Sequence, residues 1–533
     1  MTSISPAVVS HAPQASTSSP DLDLERKHSR RSEEWLVAQP LDAKYEGRHR
    51  YDPVAEWTEE EEKKVKRKID IRVMSWMCLA FFCLQLDRGN ISYALADGML
   101  ADLKVDTNTY NNGQTIFYCS FLFAELPSQM AVKYLGPERW LPVIMTCWSI
   151  VALCQAFMVN KAGFFVTRCL LGLFEGGFIP GAILFLSYFY TRKEMAIRLA
   201  AFWGTLNIAN IVGACIGAGL TSMRGIHGRP GWSWLFLVEG AVTAVIGITT
   251  AFYLPGSPTQ TKGYLRGKAG WFNEREEVIM VNRILRDDPS KGRTHFRSPI
   301  GLQDIKAGLL DPSMTLLYWI GLISYIPTGT VGAYLTLTIK ELGFSTLKTN
   351  LMSAPAAAMT IILMSLVSWY SDKINSRALV ALLGASWQIA PFIAVNFTEP
   401  TWDRWGRYVL GLVCVGYPYW HPILVSWVSE NSNSVKGRAC STAFYNIFVQ
   451  MGNIVASQIY RADDKPLYRR GNKILVVIVF VTLISFVAQR WILMRMNAKK
   501  EEAWSKLSTE EQEDYIVNGP DIGNKRIDFR FAY

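Results

Sequence analysis

Two short segments place ionisable residues inside long apolar stretches of the chain. The first is residues 86–92 (LDRGNIS), and the second is residues 168–177 (RCLLGLFEGG). Arg168 and Glu175 are seven residues apart, so two turns of a helix place them on one face. Arginine binds carboxylates through paired hydrogen bonds and keeps its charge in proteins. The carboxyl groups of Asp87 and Glu175 can bind and release protons. These residue types suit the binding of an anion together with a proton.

Charged groups inside a bilayer cost several kcal/mol, so they usually pair or line a path. One interpretation makes Asp87 and Glu175 the proton-binding groups and assigns anion binding to Arg88, Arg168 and Asn90. The alternative is that the four charged side chains neutralise one another as a buried ion-pair network that holds helices together. Residue types alone leave both interpretations open.

The second half of the chain has no comparable charges within its apolar stretches. Its polar residues include Tyr325, His421 and Asn446, which we predict to complete the binding site. A histidine within an apolar stretch often has only a structural role as a buried residue, so this role is the alternative for His421. No metal-ligand spacing, nucleotide-binding loop or catalytic triad is present, so the sequence predicts neither an enzyme nor a cofactor.

The composition indicates a membrane protein. The chain has 533 residues, of which 50% are hydrophobic, and a formal net charge of +10. Charged residues concentrate in residues 1–70, 255–312 and 497–533, which leaves a strongly apolar body. The polar start contains no apolar signal peptide, and the nine cysteines fall within apolar stretches without a CxxC motif. Basic residues beside apolar stretches favour anionic lipid over nucleic acid as a partner.

Twelve apolar stretches are long enough to cross a bilayer, which requires about 20 residues in a helix. They predict an all-α integral membrane fold with twelve transmembrane helices in two pseudo-symmetric six-helix bundles. Similar basic turns follow spans 4 and 10, as a duplicated unit would produce, although cytoplasmic turns are commonly basic in any case. The predicted spans 1 to 12 are residues 71–94, 112–134, 139–159, 162–189, 197–221, 232–254, 314–339, 348–370, 377–396, 405–429, 438–460 and 473–495.

These spans divide the chain into five parts. Residues 1–70 form a cytoplasmic tail that we expect to be disordered to about Val54, residues 71–254 the first bundle, and residues 255–312 a cytoplasmic linker. Residues 313–496 form the second bundle and residues 497–533 a cytoplasmic tail. A weakly amphipathic helix at 271–286 would either lie on the inner leaflet or pack against the bundle.

The distribution of lysine and arginine predicts that both termini are cytoplasmic. Basic residues at 63–68 precede span 1, and Lys499 and Lys500 follow span 12. The basic segment 461–473 lies on the outer side in this orientation and counts against it. Asn396 begins an Asn-Phe-Thr glycosylation acceptor on the outer side, close to the membrane.

Twelve spans split six and six by a long linker resemble the major facilitator superfamily. Residues 86–92 and 168–181 resemble its anion:cation symporter branch, and most closely the fungal allantoate permease group, which includes pantothenate, nicotinate and biotin transporters. The segments 460–472 and 528–531 are similar to the same group, and the resemblance covers about residues 60–533. The turn at 136–139 departs from the superfamily pattern, whereas residues 372–377 match its signature turn.

The resemblance implies proton-coupled transport of small organic anions. By position, Asp87 and Glu175 correspond to the family's acids that are linked to proton transport. Arg88 and Arg168 correspond to its arginines that are linked to substrate binding or to coupling. We therefore predict a monomeric secondary transporter of the plasma membrane that carries a carboxylate nutrient or vitamin together with a proton. An exporter of an acidic metabolite and a non-transporting nutrient receptor are the alternatives.

Overall fold

The computed structural model describes residues 45–287, 306, 308–374, 376–399, 401–432, 435–518 and 523–533. Within these residues, each predicted span coincides with one helix or with two consecutive helices. Of the segment predicted to be disordered to about Val54, residues 1–44 lie outside the described residues, as do residues 288–305 of the linker. In order, spans 1 to 12 are Ser75–Ala96, Thr107–Leu135, Pro137–Cys154, Lys161–Glu175 with Phe178–Ser187, Arg192–Thr221, Gly231–Tyr253, Pro312–Ile323 with Ile326–Glu341, Thr346–Leu351 with Ala354–Ile374, Arg377–Ser386 with Ile389–Asn396, Arg404–Val415 with His421–Asn431, Val435–Ile459 and Arg469–Trp504.

Nine helical segments in the described part of the chain are long and apolar enough to cross a membrane by length and composition. Spans 2, 10 and 11 are not among them. Span 10 consists of two helices of 12 and 11 residues. Spans 2 and 11 carry polar residues such as Gln114, Glu125 and Gln450, which lower the average hydropathy of helices that face protein on one side.

Several of the broken spans face the middle of the molecule, and spans 4 and 10 are examples. Span 4 breaks at Gly177, whose φ of 91° lies in the left-handed region that favours glycine. Span 10 breaks over residues 416–420, which include Pro418. Irregular backbone is tolerated at membrane depth where it is buried in protein or lines a cavity. The breaks therefore indicate where a site can form.

Small residues allow equivalent spans to pack closely in both halves. The ring of Tyr93 in span 1 lies against Gly213 and Gly217 of span 5, where a Cβ on Gly217 would be 2.9 Å from the ring. Gly452 of span 11 meets span 7 so closely that a Cβ would be 2.0 Å from the Leu322 carbonyl oxygen. Spans 1 and 5 thus pair in the first half as spans 7 and 11 do in the second, which fits the predicted six-helix repeat.

The linker helix packs against the protein at one end of the molecule. It covers Glu274–Asp287 and buries Ile279, Ile284 and Leu285. Nη1 of its Arg283 lies 2.9 Å from Glu194 at the start of span 5. Of the two positions considered for this helix, packing on the bundle is therefore the one observed. Residues 45–54 join this contact, since the backbone N–H of Asp52 donates to Asn282 at 3.0 Å.

The C-terminal tail folds back onto the second half at this same end. Phe531 is buried, and the indole N–H of Trp427 donates to the carbonyl of Ala532 at 2.7 Å. Asn497, in the extension of span 12 beyond its predicted end, accepts the Phe531 N–H at 2.8 Å. We call this end, defined by residues 59–74, 192–198, 274–287 and 523–533, the terminal face. The opposite face is defined by the turns 97–106, 222–230 and 460–468.

Candidate functional site

A cavity of about 510 Å³ lies between the two halves. Its walls come from spans 1, 2, 4 and 5 of the first half and from spans 7, 8, 10 and 11 of the second. Among the described residues that line it, Arg88 and Arg168 are the charged ones, and no carboxylate lines the cavity wall. Uncharged polar groups line much of the remainder, including Gln85, Gln114, Tyr118, Asn207, Asn210, Tyr419, His421, Asn446, Gln450 and Asn453. The cavity is therefore lined by both polar and apolar groups, with a positive region on its first-half wall.

Arg88 forms an ion pair between spans 1 and 4. Its Nε lies 2.5 Å from Oε2 of Glu175, which is fully buried as the last residue of the first helix of span 4. The guanidinium also lies over the ring of Phe121, 4.8 Å from its centroid. One terminal nitrogen, Nη2, makes no hydrogen bond. The guanidinium is thus held by protein and keeps one buried donor without a partner.

Arg168 lies on the same wall without a carboxylate partner among the described residues. Its side chain is 2% exposed and donates a hydrogen bond to the side-chain oxygen of Gln155 in the turn after span 3. Its Nε has no hydrogen-bond partner. Arg168 therefore carries a positive charge at the cavity that no carboxylate of the described chain pairs with directly.

Asp87 and Asn90 point away from the cavity. The indole N–H of Trp148 in span 3 donates to Asp87 Oδ2 at 3.1 Å, and Asp87 is fully buried. Asn90 is also fully buried and lies beside Glu239 of span 6. Successive helix residues are separated by about 100° around the axis, so Asp87 and Arg88 face different neighbours. The four charged residues singled out in the sequence consequently do not form one closed network.

Of the predicted second-half residues, His421 and Asn446 line the cavity and Tyr325 lies behind it. The hydroxyl of Tyr325 lies 3.1 Å from that of Tyr445, which lies 3.2 Å from His421 Nδ1. Tyr325 therefore contacts the cavity wall from behind, through Tyr445 and through ring contacts with Tyr419 and His421. Asn446 reaches across the halves, where its Nδ2 donates to Glu125 Oε1 at 3.2 Å.

Sequence reasoning missed three residues around this site. Glu239 is an acid within the apolar span 6, so the criterion that identified Glu175 would also have found it. Gln155, which holds Arg168, is a polar residue at the end of an apolar run. Tyr445 carries no such signal, because aromatic residues are common in apolar helices.

One further predicted residue is also located. Asn396 ends the second helix of span 9, where its Nδ2 donates to the Phe392 carbonyl at 2.8 Å. The described part of the chain contains no group of three or more His, Cys, Asp or Glu that could hold a metal ion.

Hydrogen bonds between the two halves concentrate near the opposite face. Asn111 of span 2 donates to the Tyr460 carbonyl at 2.5 Å and accepts from the hydroxyl of Tyr334 in span 7. Asn350 of span 8 donates to Thr221 of span 5 at 3.1 Å. The rings of Tyr334, Tyr460 and Tyr468 pack together beside these bonds. These contacts close the cavity toward the opposite face.

Tyr334→Phe is expected to weaken this closure. The substitution removes the hydroxyl group that donates to the side-chain oxygen of Asn111. This oxygen belongs to a fully buried residue and is left without a hydrogen bond, which destabilises the closed state by about 1–3 kcal/mol. The measurement uses a protein that carries Asn453→Cys on the cavity wall as a reporter. An impermeant thiol reagent applied from the opposite face should react with this cysteine about tenfold faster when Tyr334→Phe is also present, which corresponds to about 1.4 kcal/mol. Tyr264→Phe, at an exposed linker tyrosine, is the control. An unchanged rate in Tyr334→Phe would contradict the assignment of the closure.

Two six-helix halves around a central cavity define the chain as a multi-pass membrane transporter. It belongs to the Major Facilitator Superfamily, whose sequence pattern matches residues 77–457.

Relatives and solved structures are in accord. The chain is 41% identical to the uncharacterized transporter YIL166C of Saccharomyces cerevisiae over 92% of this chain and 90% of that one. It is 28% identical to the MFS-type transporter cnsO of Penicillium expansum, over 84% and 88% of the two chains. Its fold is similar to that of a bacterial homologue of the human lysosomal transporter Spinster in an inward-facing, occupied conformation, with a TM-score of 0.57, 14% identity and coverage of 78% and 96%. The xylose transporter XylE of E. coli, in an inward-open conformation, has a TM-score of 0.57 at 12% identity, with coverage of 77% and 95%.

Proposed function

We propose that the protein is a symporter that carries a small organic anion together with a proton. The observation that carries this proposal is the charge of the cavity wall, where Arg88 and Arg168 are the charged residues of the described lining. Guanidinium groups recognise carboxylates through paired, charge-assisted hydrogen bonds. A carboxylate nutrient or vitamin is the substrate class that fits a cavity of this volume and charge, as the resemblance to the anion:cation symporter branch also implies.

The Arg88–Glu175 ion pair supplies the coupling. An anion that binds Arg88 competes with Glu175 for the same guanidinium. A fully buried carboxylate separated from its cation is costly, because the loss of one partner from a buried pair costs about 3–5 kcal/mol. Glu175 therefore takes up a proton as it leaves Arg88. The anion and the proton bind together, and the net charge of the site does not change.

Access to the site alternates as the two halves rock about it. We infer that the terminal face is cytoplasmic, because its basic residues, including Lys66, Arg67 and Lys68, favour this orientation under the positive-inside rule. With both termini cytoplasmic and the protein in the plasma membrane, the opposite face is extracellular. The described state then has its outer side closed by the contacts around Asn111 and Tyr334.

Arg168→Gln tests the proposal most directly. Wild-type proteoliposomes, alkaline inside, are offered a panel of labelled small carboxylates, and uptake is measured. With the acid that wild type accumulates, Arg168→Gln should reduce the uptake rate by roughly tenfold to a hundredfold, because a hydrogen bond to a charged group is worth about 1.5–3 kcal/mol.

The matched control is Arg404→Gln at the start of span 10. Arg404 is exposed, stacks on Phe344 and does not line the cavity. Its uptake should match wild type. Wild-type vesicles that accumulate no carboxylate under the gradient, or unimpaired uptake by Arg168→Gln, would contradict the proposal. Faster efflux than uptake under the same gradient would favour an exporter.

A further inference from the structure

The turn after span 3 holds the guanidinium of Arg168 with a neutral side chain. Arg168 is 2% exposed and lines the cavity, whereas Gln155 is fully buried and does not line it. Among the described residues, the side-chain hydrogen bond of this guanidinium runs to the amide oxygen of Gln155. A buried charge is costly unless it is paired, so a carboxylate is the usual partner of a buried arginine. An amide accepts the hydrogen bond but leaves the charge uncompensated.

The surrounding turn fixes Gln155 in place. Gln155 begins a single turn of 3₁₀ helix, in which the backbone N–H of Met158 donates to the Gln155 carbonyl at 3.2 Å. The hydroxyl of Ser233 in span 6 donates to a backbone carbonyl of this turn. The hydroxyl of Thr167, the residue before Arg168 in span 4, donates to Met158 Sδ at 3.2 Å. The turn is therefore anchored to spans 4 and 6, which keeps the amide next to the guanidinium.

The amide nitrogen of Gln155 contributes no hydrogen bond to this contact. Its Nε2 is buried and has no hydrogen-bond partner in the described chain, which is a destabilising arrangement. A glutamate has the same shape, lacks that nitrogen and would bind the guanidinium through charge-assisted hydrogen bonds. The local contacts therefore do not require an amide at this position. The difference that the amide makes is the charge that it leaves on Arg168.

We propose that Gln155 sets the charge selectivity of the cavity. It orients Arg168 without neutralising it, so the positive charge remains available to a negatively charged group of the substrate. The other arginine of the wall, Arg88, already has a carboxylate partner in Glu175. Arg168 is therefore the group whose unbalanced charge favours an anion over a neutral molecule, and Gln155 is its positioning residue.

This inference rests on the proposed transport of an organic anion and names the residue on which the preference for a charged substrate depends. It gives the two arginines separate tasks. Arg168 favours an anion whatever the protonation state of Glu175, because the amide of Gln155 does not titrate. Arg88 responds to the bound anion by releasing Glu175. A carboxylate at position 155 would remove the first task and leave the second intact.

Equilibrium binding of acids and their uncharged amides to the purified full-length protein measures this selectivity. The probe pairs are benzoate with benzamide and propionate with propionamide. Wild type should bind the acid of at least one pair about tenfold more tightly than its amide, the scale of a hydrogen bond to a charged group. In Gln155→Glu, that preference should be lost with little change in affinity for the amide. Damage to the fold would instead weaken the binding of acid and amide alike.

Thermal stability tests the contact itself without a substrate. Gln155→Glu should melt at the wild-type temperature or above it, because Arg168 gains a carboxylate partner. Gln155→Leu should melt at a lower temperature, because the guanidinium loses its hydrogen bond. Gln260→Glu, at an exposed residue of the linker that does not line the cavity, is the matched control. It should leave both the acid preference and the melting temperature unchanged.

Three results would overturn the proposal. They are a wild type without a preference for either acid, a Gln155→Glu variant that keeps the wild-type preference, and a Gln155→Glu variant that melts below Gln155→Leu. The proposed symport fails separately. An acid preference that depends on Gln155, without accumulation under a proton gradient, would reject the symport and leave the selectivity standing. Uptake that requires Arg168 but is unchanged in Gln155→Glu would do the reverse.

Discussion

Glu175→Gln is expected to reduce proton-driven accumulation of the transported anion by about a hundredfold or more. This factor corresponds to the loss of a buried ion pair, which is worth about 3 kcal/mol or more. The amide cannot carry the proton that leaves Glu175 when the anion takes Arg88. It also leaves the guanidinium permanently available to the anion. Exchange of internal for external anion, which needs no net proton movement, should therefore continue within a few-fold of the wild-type rate.

The pH dependence of anion binding distinguishes this coupling from simple damage. In wild type, a proton binds with the anion, so the affinity should increase as pH falls over a range in which the acid itself stays ionised. In Glu175→Gln, the affinity should be independent of pH, because the coupled proton has no acceptor. Equilibrium binding at several pH values, with counterflow measured in parallel, checks both statements.

Glu341→Gln provides the control for a changed acid outside the cavity. Glu341 ends span 7 near the opposite face and does not line the cavity. Its accumulation, exchange and pH dependence should resemble wild type. If Glu175→Gln still accumulates the anion, or if its affinity keeps the wild-type pH dependence, the competition between anion and Glu175 for Arg88 is refuted.

Gly452→Ala is expected to cause the largest loss of stability. The added Cβ would lie 2.0 Å from the carbonyl oxygen of Leu322 and 3.0 Å from its carbonyl carbon. These are backbone atoms of a neighbouring helix and cannot move aside as a flexible side chain would. Spans 7 and 11 must then separate, and overpacking of this kind costs about 3 kcal/mol. The free energy of unfolding in mixed detergent, or the thermal midpoint, measures the loss.

Gly204→Ala is the matched control, because Gly204 lies within the helix of span 5 and a Cβ there meets no atom within 4 Å. Alanine has a higher helix propensity than glycine by about 1 kcal/mol, so this variant should be as stable as wild type or slightly more stable. Equal stabilities of Gly452→Ala and Gly204→Ala would show that the close approach of spans 7 and 11 does not limit packing.

The sequence located the twelve spans and the residues from which a site could form. Spans are predictable because bilayer thickness sets the length of an apolar helix, and this requirement acts on local sequence alone. Gly213 and Gly217 of span 5 receive the ring of Tyr93, as small residues at a helix interface allow. The arginines of spans 1 and 4 stood out because charge is rare inside such helices.

The sequence alone determined that this protein is an all-helical membrane protein with a few charged residues inside its first half. Only the tertiary structure decided that Glu175 binds Arg88 rather than Arg168, and that Asp87 turns toward Trp148 of span 3. Hydropathy depends on the residue and its near neighbours, so it can be read along the chain. The partner of a buried charge depends on how each helix is rotated against helices far away in sequence, and that rotation is set by packing of the whole bundle.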